Sequence, residues 1–197
     1  MSEKKQALLV LDMMNEIVRA DGAWAEMGYG YGPQAEERKV VEETARAIQN
    51  ARADGIPVIY VTVGFSESYA EWPSESPVFT DEGKKARLLR LGTWGQDIHE
   101  ALAPQGGEVL VTKKRVSPFY ATSLEVLLRT QGVEELLLCG VATDHVVMAT
   151  ARDGHDRDFS IKVLEDCCAA ASRERHEAAI LVLNGVAEIT TSTEVFG

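Results

Sequence analysis

At 197 residues with 45% hydrophobic side chains, the chain is long enough for one substantial core, and a single domain over 1–197 is expected. Its formal charge of -11, from 20 basic and 31 acidic residues, argues against nucleic acid as a partner but leaves room for a small molecule in a locally basic pocket. No run approaches the length of a membrane span, and Met1 to Gln6 lacks a secretory cleavage pattern, so a cytoplasmic protein with no membrane partner is expected.

Apolar strands alternate with helices along the chain. Ala7 to Leu11 is a short apolar run ending at Asp12. Glu36 to Ala53 has helical spacing and is stopped by Gly55-Ile56-Pro57. Val58 to Val63 is β-branched and strand-like, and Val109 to Thr112 is the next strand, followed by Lys113-Lys114-Arg115. Thr122 and Glu125 have capping-box spacing ahead of a helix whose Leu124, Leu127 and Leu128 line one face. Leu136 to Cys139 predicts a strand, Asp144 to His155 a helix and Ser160 to Leu164 a strand. Arg173 to Leu183 predicts a helix stopped by Asn184-Gly185, and Val186 to Ile189 a last strand. Strands this continuously apolar are buried on both faces. The pattern predicts an α/β fold, a three-layer α/β/α sandwich around a mostly parallel six-stranded sheet.

In such sheets the site lies beyond the carboxyl ends of the strands. Three segments put polar groups there: Asp12, Lys113 with Arg115, and the turn from Gly140 to Val146. A carboxylate at Asp12 suits proton exchange or orienting water, and equally suits capping a loop. Lys113 would lower the pKa of a nearby carboxylate and stabilise an oxyanion; its alternative is an ordinary ion pair. Lys114 alternates to the other side, while Arg115 shares the face of Lys113 and offers a fork for a substrate carboxylate. Backbone amides of Gly140-Val141-Ala142-Thr143 are candidates for an oxyanion hole, with Thr143 as N-cap of the helix. Asp144 then falls in the first turn, where its charge is favourable; His145 is a weaker site candidate and reads first as a surface or packing residue.

No local group supplies a nucleophile at the turn. Val146 occupies the position best placed for one, Cys139 precedes the turn, and Thr143 would need a general base. Cys139, Cys167 and Cys168 form neither a disulfide framework nor a CxxC motif. No glycine-rich dinucleotide loop or P-loop follows the first strand. His99, His145, His155 and His176 are scattered, so no cofactor and no metal are expected. Residues 19–35 and 64–95 are rich in aromatic side chains, which cover a pocket or pack a subunit interface. Trp24, Phe119, Ala142 and Val146 are, with Arg115, the candidates for substrate contact.

Three landmarks in order carry a resemblance: LLVLDMMNEIV around Asp12, VTKKRVSPFYATSLEVLL around Lys113, and LLLCGVATDHVVMATARDG around Val146. From about Ala7 to Ile189 the chain resembles the isochorismatase-like, or cysteine-hydrolase, superfamily. In its amide hydrolases an aspartate, a lysine and a cysteine form a triad. The resemblance puts the first two at Asp12 and Lys113 and the cysteine position at Val146. It also implies a cis peptide at Val141-Ala142 and a homo-oligomer, dimer or tetramer. The metal-holding histidines of nicotinamidase-like members have no counterpart here. The isochorismatase branch lacks the cysteine, often having glycine there, and cleaves a vinyl ether with water.

The expected function is therefore a hydrolase of a small aromatic or carboxylated substrate. It would use a cysteine-independent, water-based mechanism in which Asp12 and Lys113 are catalytic. The alternatives are a catalytically inactive small-molecule-binding or scaffold protein, and an amidohydrolase whose cysteine has been replaced.

Overall fold

The computed structural model describes residues 4–197. Six strands run through them: β1 (Gln6–Leu11), β2 (Val58–Val63), β3 (Val109–Lys113), β4 (Glu135–Val141), β5 (Ser160–Ala169) and β6 (Glu188–Thr190). They form one sheet in the order β3-β2-β1-β4-β5-β6, and every pairing is parallel. Side chains alternate between the two faces, as the pleat requires. Leu8 and Val10 of β1 join Tyr60, Leu137 and Cys139 in one core, beneath α4 (Val40–Ala53). Ala7, Leu9 and Leu11 join Ile59, Leu136 and Leu138 in the other. The second core is covered by α6 (Leu124–Thr130), α7 (Met148–His155) and α8 (Arg173–Leu183), whose Leu124, Leu128, Ala151 and Leu183 enter it. This is the expected three-layer α/β/α sandwich, and burial on both faces explains the near-continuous apolar strands.

The strand order reverses at β1, which pairs with both β2 and β4. Parallel sheets open a crevice at such a point, beyond the carboxyl ends of the strands. Gly140 makes this junction possible: its φ is 142°, and a Cβ there would collide with the Leu11 carbonyl.

Several local expectations are corrected. The single helix expected over 36–53 is two, α3 (Tyr31–Glu37) and α4, because Lys39 between them takes a left-handed conformation (φ 56°). The capping box at Thr122 does not form. The helix begins at Leu124, the Thr122 hydroxyl accepts from the Leu124 amide and donates to Pro118, and Glu125 is drawn to Arg157. β5 runs on past Leu164 to Ala169, through the polar pair Glu165-Asp166 that marks an end in the sequence. No helix among the described residues is long and apolar enough to cross a membrane.

Candidate active site

β1 ends at Leu11, and the next residue, Asp12, has a left-handed backbone (φ 54°) that turns the chain sharply off the sheet while its amide still donates to Val61 (2.9 Å). Aspartate tolerates this conformation better than most residues. Two strands away, β3 ends at Lys113, and its Nζ donates to Asp12 Oδ2 at 2.7 Å. Both side chains are buried. Burial pushes the Asp12 carboxyl up from its ordinary pKa, while Lys113 and the nearby Val63 amide oppose the shift. That amide does not complete a hydrogen bond of normal geometry, and Oδ1 is left without a partner.

From the far side of the switch point, β4 delivers the turn. The Val141–Ala142 peptide is cis, as the resemblance implies. Residues Thr143–Val147 then form a π-helical turn that runs into α7, so the helix starts one residue earlier and wider than the sequence suggests. Thr143 is not its N-cap. Ala142 occupies that position, and the Thr143 hydroxyl pairs instead with His176 Nδ1 at 2.8 Å. His176 Nε2 meets Glu165 Oε1 at 2.8 Å, and Arg38 donates to the same oxygen at 2.6 Å. The His176 hydrogen bond and then Arg38 hold the Glu165 carboxyl at about 2. Asp144 is held by Arg175, whose Nε donates at 2.7 Å.

One pocket joins these ends. Asp12, Lys113, Ala142 and Val146 line it, together with Trp24 and Tyr31 from the first aromatic segment and Val78, Phe79 and Leu89 from the second. Ile17, Val63, Val116, Val141 and His145 complete the wall. The cavity is about 50 Å³ and opens to solvent at its mouth. Both aromatic segments therefore cover the pocket. The second is braced internally: Trp72 donates to Phe79 O (3.2 Å), Tyr69 donates to Leu88 O (2.9 Å), and the buried Glu16 accepts from the Leu89 amide (2.7 Å).

Two sequence candidates lie elsewhere. Arg115 follows the end of β3, where strict alternation no longer governs direction. Its Nη1 donates to the carbonyls of Glu71 (2.9 Å) and Lys114 (2.7 Å), and it does not line the pocket. Phe119 is buried in the second core, stacked on Phe159 (6.1 Å between centroids) with Arg157 over its face. Lys114 points away as expected, donating to Gly64 O. Sequence reasoning passed over Tyr31, Phe79 and Leu89 as individual residues, and it read His145 first as packing. His145 does pack near Tyr31 (6.4 Å), but it also lines the pocket, as its weaker reading as a site candidate requires. Among the described residues no group of three or more His, Cys, Asp or Glu is arranged to hold a metal ion.

A buried acid–ammonium pair at the switch point of a parallel sheet, roofed by aromatic loops, is the layout of an α/β enzyme domain. The Isochorismatase domain family matches residues 6–194, and the chain belongs to that family of small-molecule hydrolases. It is 32% identical over 180 residues to YecD, an isochorismatase family protein of Escherichia coli O157:H7, across 91% of this chain and 88% of that one. It is 33% identical over 188 residues to a ureidoacrylate amidohydrolase, RutB, of Methylobacterium radiotolerans, across 88% of this chain and 70% of that one. A solved isochorismatase family protein from Desulfovibrio vulgaris subsp. vulgaris str. Hildenborough shares the fold, with a TM-score of 0.86 and 24% identity over 98% of this chain and 97% of that one.

Proposed function

We propose that this pocket hydrolyses a small aromatic or carboxylated substrate with water, and not a protein thiol, as the nucleophile. One observation carries the reading: the pocket holds the Asp12–Lys113 pair and Val146, but none of the three cysteines. All three thiols are buried in the cores, and burial raises the pKa of each, Cys168 to about 12. A buried, protonated thiol is inert as a nucleophile.

In this reading Asp12 is the proton donor. Its elevated pKa keeps a proton available closer to neutrality than an ordinary carboxyl would. In a vinyl-ether substrate the proton goes to the enol carbon; water adds to the resulting oxocarbenium carbon and returns a proton to the Asp12 carboxylate. The hemiketal then collapses to a carbonyl and an alcohol. Lys113 holds Asp12 in place and offsets negative charge in the dry pocket. Amides of the 142–146 turn are the candidate donors to a developing oxyanion. Assembly as a homo-oligomer belongs to the same proposal.

The test is turnover of aryl vinyl ethers and activated anilides by pure protein. Activity is expected to survive replacement of Cys139, Cys167 and Cys168 by alanine and to disappear in Asp12→Asn. Equal rates in Asp12→Asn and wild type would remove Asp12 from the mechanism. Val146 itself favours a second reading, a ligand-binding protein without catalysis, and that reading predicts saturable binding with no turnover of either class.

A further inference from the structure

Trp24 Nε1 is buried and has no hydrogen-bond partner, although the residue lines the pocket. A buried indole N–H normally finds an acceptor, as Trp72 does on Phe79 O at 3.2 Å. The Trp24 ring is also not free to seek one. It packs against Tyr29 (5.0 Å between centroids) and Tyr31 (5.7 Å), which also stack on each other (6.1 Å). The donor thus belongs to a wall in which Ile17, Val63, Val78, Phe79, Leu89 and Val116 are apolar and Asp12, Tyr31, Lys113 and His145 carry the other polar groups.

The charges in this wall set a second condition. Lys113 is its one lysine or arginine, and its ammonium is already on Asp12 at 2.7 Å. Arg115, the residue whose fork suits a carboxylate, is turned onto the Glu71 and Lys114 carbonyls. The second Asp12 oxygen, Oδ1, completes no hydrogen bond of normal geometry. An anion entering would lose its hydration with no uncommitted lysine or arginine to receive it, and His145 Nδ1 already lies 3.0 Å from the Asp144 carbonyl.

We propose that the pocket selects an uncharged ligand, with an apolar body and a carbonyl-type acceptor that takes the Trp24 indole N–H, and discriminates against carboxylates. This rests on the reading of the pocket as the substrate site. Of the two substrate classes named there, it selects the neutral aromatic one. It also separates this chain from a relative whose name specifies an acrylate. Trp24 acts as a specificity-determining donor.

Three probes of similar size separate the contributions: acetophenone, benzoate and toluene, titrated at pH 7 into the full chain with 15N-labelled indoles. The Trp24 resonance is assigned by its loss in Trp24→Phe or Trp24→Tyr. Acetophenone is expected to move that resonance downfield and to bind about tenfold more tightly than benzoate, whose carboxylate must shed its hydration in the pocket. Toluene should bind without the downfield shift. Trp24→Phe should weaken acetophenone about tenfold and leave toluene within about twofold. Benzoate binding as tightly as acetophenone, a Trp24 resonance that acetophenone leaves in place, or no binding of acetophenone would each overturn the proposal. These readouts are of binding, so absence of turnover would count against the hydrolytic reading alone.

Discussion

Two buried polar constellations meet at the 143–147 turn, one from the pocket and one from behind, and they are satisfied to different degrees. On the pocket side Lys113 serves one Asp12 oxygen, while Asp12 Oδ1 and Trp24 Nε1 have no partner. Behind the turn Thr143, His176, Glu165 and Arg38 form an unbroken chain of hydrogen bonds between 2.6 and 2.8 Å. The rear chain has the members of a hydroxyl–imidazole–carboxylate triad but not its access. Thr143 is fully buried and does not line the pocket, so it fixes the turn and attacks nothing. Closed networks rigidify a fold, whereas buried groups left open lower its stability unless water or a ligand meets them. The difference separates scaffold from site within a few residues of one turn.

The largest effect that would sharpen this contrast lies in the pocket pair. Asp12→Asn or Lys113→Met alone leaves one buried partner uncompensated and should cost about 3–5 kcal/mol in urea unfolding. The double variant should cost much less than the sum, because both charges leave together. Additivity within about 0.5 kcal/mol would show the two groups uncoupled and dissolve the comparison.

His176→Phe comes next. It strands the Thr143 hydroxyl and removes one Glu165 partner, which should cost about 1–3 kcal/mol. Because His176 does not line the pocket, acetophenone affinity should fall less than about threefold. A loss as deep as that of Trp24→Phe would make the rear chain part of the binding site.

The fold was legible because its signals are local and periodic. β2 and α8 fall on the residues expected of them, since β-branched runs, Gly-Pro stops and Asn-Gly breaks act over a few positions. Asp12, Lys113 and Val146 were legible as a set because strand ends in a parallel sheet converge on one edge. The misplaced residues all depend on tertiary competition. Thr143 has the chemistry of an N-cap, but a buried imidazole 33 positions away outbids the helix for its hydroxyl. Arg115 has the chemistry of a carboxylate clamp, but the loop carrying Glu71 supplies backbone carbonyls first. Trp24 was visible as an aromatic in a glycine-rich segment, yet nothing in its neighbours announces that its N–H is left open.

The smallest effect distinguishes the two constellations by the sign of their response to acid. Glu165 is held at about 2, below its ordinary 4.5, so its carboxylate favours the fold. That contribution is complete above pH 4.5 and is lost as pH falls toward 2. The side chain is 33% exposed, which limits the contribution to about 1 kcal/mol or less. Asp12 behaves oppositely. Its carboxyl is raised above the ordinary 3.8, so the folded chain takes up its proton first and gains stability as pH falls toward that value. Unfolding midpoints measured from pH 7 downward should therefore fall less steeply in Glu165→Gln than in wild type. In Asp12→Asn they should fall more steeply, because the compensating gain is gone. Parallel acid slopes in both variants would mean that the pocket carboxyl and the rear carboxylate feel the same environment, and the distinction between an open and a closed network would not survive.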